Sequence, residues 1–244
     1  MFPPPHLSRS NGNQILAALN STDYQTFLSQ LEQVTLAQGE VVYERGDRIN
    51  YVYFPETAVI SMLCMMSNGD TTEVGPVGRE GLVGLNIFFG SDTTPTQLVV
   101  HVAGTALRIK AELLRRELDS ERPVMTHLLF RYTQMLLAMT GQSSACNKLH
   151  SLEQQLARWL LLMHDYVGDE LLLTHELIAL TLGVRRAGIS GSASNFRVEE
   201  LIEYNRGHIQ ILNRQGLEAK ACECYLVIKE EYDRLYADLA QLAK

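Results

Sequence analysis

Between residues 174 and 192 the chain places Ala179, Gly183 and Ile189 at the Ala-x3-Gly-x5-Ile spacing of a helix-turn-helix. Two helices joined by a turn of about three or four residues cross closely only where a small side chain lies at the contact, and Ala179 supplies it. Gly183 stands where the chain leaves the first helix, a position that calls for the left-handed conformation glycine reaches without steric cost. Ile178, Leu182, Val184 and Ile189 then close a small core between the helices. Thr174 is placed to cap the first helix, and Glu176 favours its positive end. Arg185 and Arg186 open the second helix, where such motifs present side chains to base edges and phosphates. The same spacing occurs in ordinary helical hairpins, so the segment that follows decides between the two readings. Residues 201–212 alternate as two strands around an Arg206-Gly207 turn. A helix-turn-helix followed at once by a short hairpin is the winged form, and its tip, Arg206, Gly207 and His208, can reach a phosphate backbone.

The formal net charge of -7 looks wrong for a DNA binder, because phosphate neutralisation by Lys and Arg supplies most non-specific affinity. The distribution softens this. Residues 174–214 hold five arginines against Glu176, Glu199, Glu200 and Glu203, a local balance of +1 (5 − 4). Non-specific binding is therefore expected to be weak, which favours a dimer. Glu199 to Glu203 reads as a solvated helix face, with contact to RNA polymerase as the alternative.

At 244 residues the chain suits two domains of ordinary size. A hydrophobic content of 46% with no apolar run near a membrane span predicts a soluble, cytoplasmic protein. The proline-rich start, residues 1–10, reads as a disordered lead and not a signal peptide. Four cysteines, Cys64, Cys146, Cys222 and Cys224, form neither a disulfide framework nor paired Cys-x2-Cys clips. On a strand or helix Cys222 and Cys224 do not converge, so free, buried thiols are expected, with metal or redox use as the alternative.

Residues 34–109 consist of short apolar runs broken by Gly, Pro, Asn and Asp at intervals of about 8 to 12 residues, the pattern of a β-sandwich or barrel. Asn68-Gly69 is a strong hairpin signal. Residues 13–33 carry Ile15, Leu16, Leu19, Phe27, Leu28 and Leu31 at helical spacing. Residues 111–118 predict a short helix, and Pro123 opens a long one. Met125, Leu128, Leu129, Tyr132, Met135, Leu136 and Met139 form a near-heptad stripe along that helix, read here as a homodimer interface in preference to a plain core face. Gly141 to Ser144 weakens the helix, residues 147–150 are the expected hinge, and residues 152–166 start the next helix. The domains follow: 13–121 sensor, 122–146 dimerisation helix, 147–244 DNA-binding.

Several stretches resemble the Crp/Fnr family of transcription regulators. They are Gln38-Gly39-Glu40, Glu44-Arg45-Gly46-Asp47, Gly78 to Leu85, Arg158-Trp159-Leu160-Leu161, Thr174 to Gly183, Arg185-Arg186-Ala187-Gly188 and Arg206-Gly207-His208-Ile209. The resemblance runs from about residue 19 to residue 225. It implies an α+β protein with an N-terminal β jelly-roll of the cyclic-nucleotide-binding type, a long dimerisation helix and a C-terminal winged helix-turn-helix. It also implies double-stranded DNA as partner, a homodimer and a small-molecule effector, in a regulator that is not an enzyme.

In the family's nucleotide-binding members a glutamate holds the ribose and an arginine followed by Ser or Thr binds the cyclic phosphate. Glu80 suits the first role, but residues 86–100 contain no Lys or Arg for the second. A phosphate buried without a cation costs several kcal/mol, and Asp92 would repel it, so cyclic AMP is not the expected ligand. The family's iron-sulfur members need clustered cysteines near the N-terminus, and the first cysteine here is Cys64. Haem through His101 or Cys64 is the lesser reading beside a structural histidine. The pocket expected from Met62, Leu63, Glu80, Leu82, Leu85, Phe88, Phe89, Thr93 and Thr94 is apolar enough for a small hydrophobic ligand, or is filled by its own side chains. No cofactor or metal is assigned.

The DNA-contacting set expected from motif and resemblance is Thr174, Arg185, Arg186, Ser190, Ser194, Arg206 and His208, with Arg186 reading base edges. Residues 188–195 are rich in Gly and Ser, so the second helix either forms fully only on DNA or lies close to the groove on short side chains. Two rival functions stand beside this one. An enzyme built around Glu40, Glu44 and His101 lacks a metal set. A protein-interaction module with a jelly-roll sensor for a small apolar ligand would use the wing on another protein.

Overall fold

The computed structural model describes residues 12–19, 25–120 and 123–242. Two short helices, α1 (Gln14–Ala18) and α2 (Gln25–Leu28), precede seven strands: β1 (Glu32–Leu36), β2 (Val41–Tyr43), β3 (Tyr51–Pro55), β4 (Val59–Met65), β5 (Thr71–Val77), β6 (Gln97–Val102) and β7 (Gly104–Lys110). They form two antiparallel sheets, ordered β1-β7-β3 and β2-β6-β4-β5. Val52, Phe54, Ile60, Val77, Val100, Ala106 and Ile109 fill the space between them. The Asn68-Gly69 signal produces the expected β4–β5 hairpin, in which Met65 faces Thr71 and Gly69 takes a φ of 89°.

Asn13 ties α1 to this core. Its side chain caps the helix by accepting from the Ile15 amide, and its Nδ2 donates to the Pro55 and Gly81 carbonyls at 3.0 and 2.8 Å.

Helix α3 (Ala111–Leu118) matches the predicted span and leads to α4 (Pro123–Leu149). This helix of 27 residues, about 40 Å at the usual rise, runs through Gly141 without a break. The apolar stripe along it faces inward. Met125, Leu128, Leu129, Tyr132, Met135 and Met139 are each at most 2% exposed within a single chain, and Leu136 packs at their edge. Contrary to expectation, these residues are not left open for a twin, because β5, the segment around Gly81 and the last helix already cover them. Gly81 makes the close approach possible: a Cβ there would lie 2.4 Å from the Tyr132 ring. The side of α4 left open carries Phe130, 58% exposed, and Leu137, 69% exposed, with Gln134 and Gly141 at the intervening turns.

The C-terminal part contains α5 (Leu152–Val167), β8 (Glu170–Leu171), α6 (His175–Leu182), α7 (Arg186–Val198), β9 (Ile202–Asn205), β10 (His208–Ile211), α8 (Arg214–Lys220) and α9 (Cys224–Leu242). A capping box at Ser151 and Gln154 starts α5, whose stretch from Leu156 to Met163 is buried. Helix α9 is not among the elements expected above, although Tyr225, Ile228, Tyr232, Leu235 and Leu239 repeat at intervals of three and four. It folds back along α4, where the Arg131 Nε donates to Asp238 at 2.6 Å and the Tyr232 hydroxyl donates to Met139 Sδ at 3.2 Å.

Candidate nucleic-acid interface

Thr174 caps α6 by accepting from the Leu177 amide at 3.2 Å, and Gly183 ends the helix at φ 66°, ψ 35°. Ile178, Ala179, Leu182 and Ile189 are buried at the contact between α6 and α7, as their spacing required. Helix α7 runs unbroken from Arg186 to Val198 despite its Gly and Ser content, because Ile189, Ala193 and Phe196 bury one face at helical intervals.

Strands β9 and β10 pair from Ile202 opposite Ile211 to Asn205 opposite His208, and β8 adds to the outer side of β10. Arg206 and Gly207 both take positive φ, 46° and 87°, as a two-residue hairpin turn of this hand demands. The turn lies against the start of α6, for a Cβ on Gly207 would stand 3.2 Å from Thr174 Cγ2. The wing tip and the N-terminus of the first helix therefore share one edge.

The predicted contact residues divide into two groups. Thr174, Arg185, Arg186, Ser194 and Arg206 are exposed. Arg186 pairs with Glu176 at 3.6 Å, whereas Arg185 and Arg206 make no ion pair among the described residues. Ser190 and His208 are half-buried and engaged internally: Ser190 Oγ lies 3.1 Å from His175 Nδ1, and His208 Nε2 lies 3.3 Å from Glu170 Oε2 on β8. Arg214, one of the five arginines in the local charge balance, belongs to the interior scaffold; its Nη1 donates to Asp165 and its Nε to Glu218.

His175 carries no signal in the sequence yet holds the motif together. Its ring stacks on Tyr204 of β9 with centroids 3.9 Å apart while its Nδ1 meets Ser190 on α7, so it fixes the wing relative to the second helix. Burial, aided by the Arg186 charge, lowers its pKa and keeps the ring neutral. No periodicity marks such a residue, because its partners lie 15 and 29 residues away in sequence (190 − 175 and 204 − 175).

The sensor domain contacts this region directly. Gly69, Asp70 and Thr71 of the β4–β5 hairpin face Leu177, Leu180 and Arg185 across a shared concavity, and Thr71 Oγ1 donates to the Leu180 carbonyl at 3.3 Å. Beneath it, Ser61 and Glu73 of the sensor sheet, His101 on β6, Trp159 on α5 and Thr181 on α6 form one polar chain. His101 has a partner at both nitrogens and is 1% exposed, which is the structural reading of this residue.

Residues expected to line an effector pocket are scattered. Leu63, Leu82 and Leu85 are part of the buried core, Met62 and Phe88 pack at its margin, and Phe89 and Thr93 are exposed. Thr94 is buried with its hydroxyl donating to the Thr96 carbonyl. Glu80 is buried too, accepting from the Gly78 amide and the Tyr166 hydroxyl, each at 2.9 Å, so it ties the sensor to α5 rather than opening toward a ribose. Burial raises its pKa. The tertiary structure does bring one cation to the 86–100 segment: Arg48 pairs with Asp92 at 3.5 Å on the surface.

Residues 33–121 match the cyclic nucleotide-binding domain family, and residues 154–220 match the Crp-like helix-turn-helix domain family. This chain belongs to the Crp/Fnr family. It is a DNA-binding transcription regulator rather than an enzyme. Similar solved structures include FixK2 from Bradyrhizobium japonicum, with a TM-score of 0.68 at 16% identity over 79% of this chain and 98% of that one. A CRP-family transcriptional regulator from Thermus thermophilus, TTHB099, gives 0.64 at 19% identity over 78% and 96%. CLP, the c-di-GMP responsive global regulator of Xanthomonas campestris, gives 0.61 at 16% identity over 76% and 95%. No curated protein matches the chain in sequence. Helix α9 lies outside both matched domains. Among the described residues no helix is long and apolar enough to cross a membrane.

Proposed function

We propose that the chain acts as a cytoplasmic homodimer that places two copies of α7 in successive major grooves of a near-palindromic operator, with each wing tip on the phosphate backbone. The observation that carries this reading is a pair of exposed arginines, Arg185 at the start of α7 and Arg206 at the wing tip, flanking Thr174 and free of ion pairs among the described residues. Thr174, Arg185, Arg186, Ser194 and Arg206 make the contacts, while Ser190 and His208 hold the surface in shape. The dimer forms through the open side of α4, Phe130, Gln134, Leu137 and Gly141, whose intervals of four, three and four suit a coiled pair. Phe88 packs edge-on against Phe130 at 5.0 Å and at a tilt against Phe89 at 5.1 Å, extending that apolar surface.

The sensor works without cyclic AMP, since residues 86–100 supply no Lys or Arg for a phosphate and the Glu80 carboxylate is buried against Tyr166. A small-molecule effector, where one acts, is of another class; the c-di-GMP response of CLP makes that ligand one arm of the test. Selecting DNA from a random pool with the full chain, alone and with cyclic AMP or c-di-GMP, tests the proposal. A palindromic consensus bound in a salt-sensitive manner supports it. Absence of any sequence-selected binding at low salt would favour the protein-interaction reading instead.

A further inference from the structure

The end of α4 and the start of α9 bring together two pairs of side chains that are widely separated in the chain. Cys146 and His150 stand one turn apart at the end of α4, and Cys222 and Cys224 lie at the corner that opens α9. The Cys146 and Cys222 sulfurs are 3.5 Å apart, Cys224 Sγ is 3.4 Å from His150 Nδ1, and all four ligand atoms lie within 4.8 Å of one another. Among the described residues this is the one such group of His, Cys, Asp and Glu. Cys222 precedes the helix and Cys224 begins it, so the bend turns both sulfurs inward, which a continuous strand or helix would not do.

We infer that Cys146, His150, Cys222 and Cys224 bind a single zinc ion through three sulfurs and the imidazole Nδ1. Zinc-sulfur bonds of about 2.3 Å and zinc-nitrogen bonds of about 2.0 Å set tetrahedral edges of about 3.5 to 3.8 Å, and both observed separations fall close to that range. Thiolate and imidazole donors select this class of ion, and a full set of four protein ligands makes the site structural rather than catalytic.

The surroundings fit an occupied site better than a packed group of thiols. The Glu223 carboxylate lies 3.3 Å from His150 Nε2, the arrangement that leaves Nδ1 free to ligate and orients the ring. Gln142 Nε2 donates to Cys224 Sγ at 3.1 Å. Arg158 is 4% exposed, its charge acts on Cys146, and its Nε has no hydrogen-bond partner. Binding Zn²⁺ to three thiols and one neutral imidazole releases three protons and leaves a site of charge −1, which the Arg158 guanidinium offsets.

The location gives the ion a role. His150 shortly precedes the segment matched as the helix-turn-helix domain, residues 154–220, and Cys222 shortly follows it. One ion therefore clasps the two ends of the DNA-binding domain to the end of α4, at the junction where that domain would otherwise pivot.

The test is metal content of the full-length chain purified under reducing conditions and desalted, measured by plasma mass spectrometry. About one zinc per chain is expected, unchanged by Cys64→Ser and lost in the double variant Cys222→Ser with Cys224→Ser. Cobalt exchanged into the unaltered chain is expected to give thiolate charge-transfer and tetrahedral d–d absorption, so the outcome does not depend on a variant folding. Glu223→Gln should keep the stoichiometry and weaken zinc affinity by about 10- to 100-fold. The inference is overturned by a folded, metal-free chain in which all four thiols titrate. A Cys146–Cys222 disulfide under those conditions, iron with inorganic sulfide in place of zinc, or zinc retained by the double variant would overturn it equally.

Discussion

His101 Nε2 on β6 lies 3.2 Å from Thr181 Oγ1 on α6, a buried polar contact between the sensor sheet and the first helix of the DNA-binding motif. Thr181 gives its hydroxyl hydrogen to the Leu177 carbonyl at 2.8 Å, so the proton between the two side chains comes from His101 Nε2. Ser61 Oγ lies 2.6 Å from Nδ1 and also bonds Glu73, whose other oxygen accepts from Trp159 Nε1 at 3.1 Å and whose pKa burial raises.

This arrangement makes stability sensitive to mild acid. Burial lowers the His101 pKa from 6.5 to about 4, so between those values the unfolded chain takes up a proton that the folded chain refuses. The resulting contribution is complete above pH 6.5 and is lost as pH falls toward 4, by about 3 kcal/mol at most from 1.36 kcal/mol per unit. Glu73 and Glu80, whose pKa values are raised, act in the opposite sense, with stability falling as pH rises above 4.5. Urea unfolding across this range is expected to show a steeper acid loss for the native chain than for His101→Gln; identical slopes would remove His101 from the explanation.

Base reading and backbone binding should separate at two arginines. Arg186→Ala is expected to cost about 1 to 3 kcal/mol on the operator and much less on random DNA. Arg206→Ala should weaken both by similar factors and lower the salt slope by about 1. Fluorescence anisotropy at several salt concentrations measures both, and equal losses on the two DNAs for Arg186→Ala would make it a phosphate contact.

Gly183→Ala should destabilise the fold by about 1 to 2 kcal/mol, the cost of a left-handed backbone for a residue with a Cβ. The new atom would also stand 3.2 Å from the Thr71 carbonyl oxygen on the sensor hairpin. Differential scanning calorimetry reads the effect, and an unchanged melting temperature would deny that this turn is held as described.

The two faces of α4 predict opposite phenotypes. Leu137→Glu, on the open face, should dissociate the dimer in sedimentation velocity with little loss of folding stability. Met135→Ala, on the buried face, should cost about 2 to 5 kcal/mol of stability through the cavity it leaves. A monomeric Met135→Ala that keeps its stability would return the interface to the inner stripe.

Local chemistry is legible throughout the chain. A glycine at a helix end, the Asn68-Gly69 and Arg206-Gly207 turns, and apolar residues at intervals of two or three to four each state a conformation within a few residues of themselves. The order of elements up to the wing, β8 apart, therefore follows from the sequence, as do the positions of Thr174, Arg185, Arg186 and Arg206 on the motif. What stays hidden depends on contacts between distant segments. The stripe from Met125 to Met139 declares itself apolar but cannot say whether its cover is another chain or the returning α9. Glu80 matches a ribose-binding position, but the fold buries it and Tyr166, 86 residues later, donates to its Oε1. Cys146 and His150 acquire chemical meaning only beside Cys222 and Cys224, because ligand geometry is a property of atoms in space and leaves no period in a sequence.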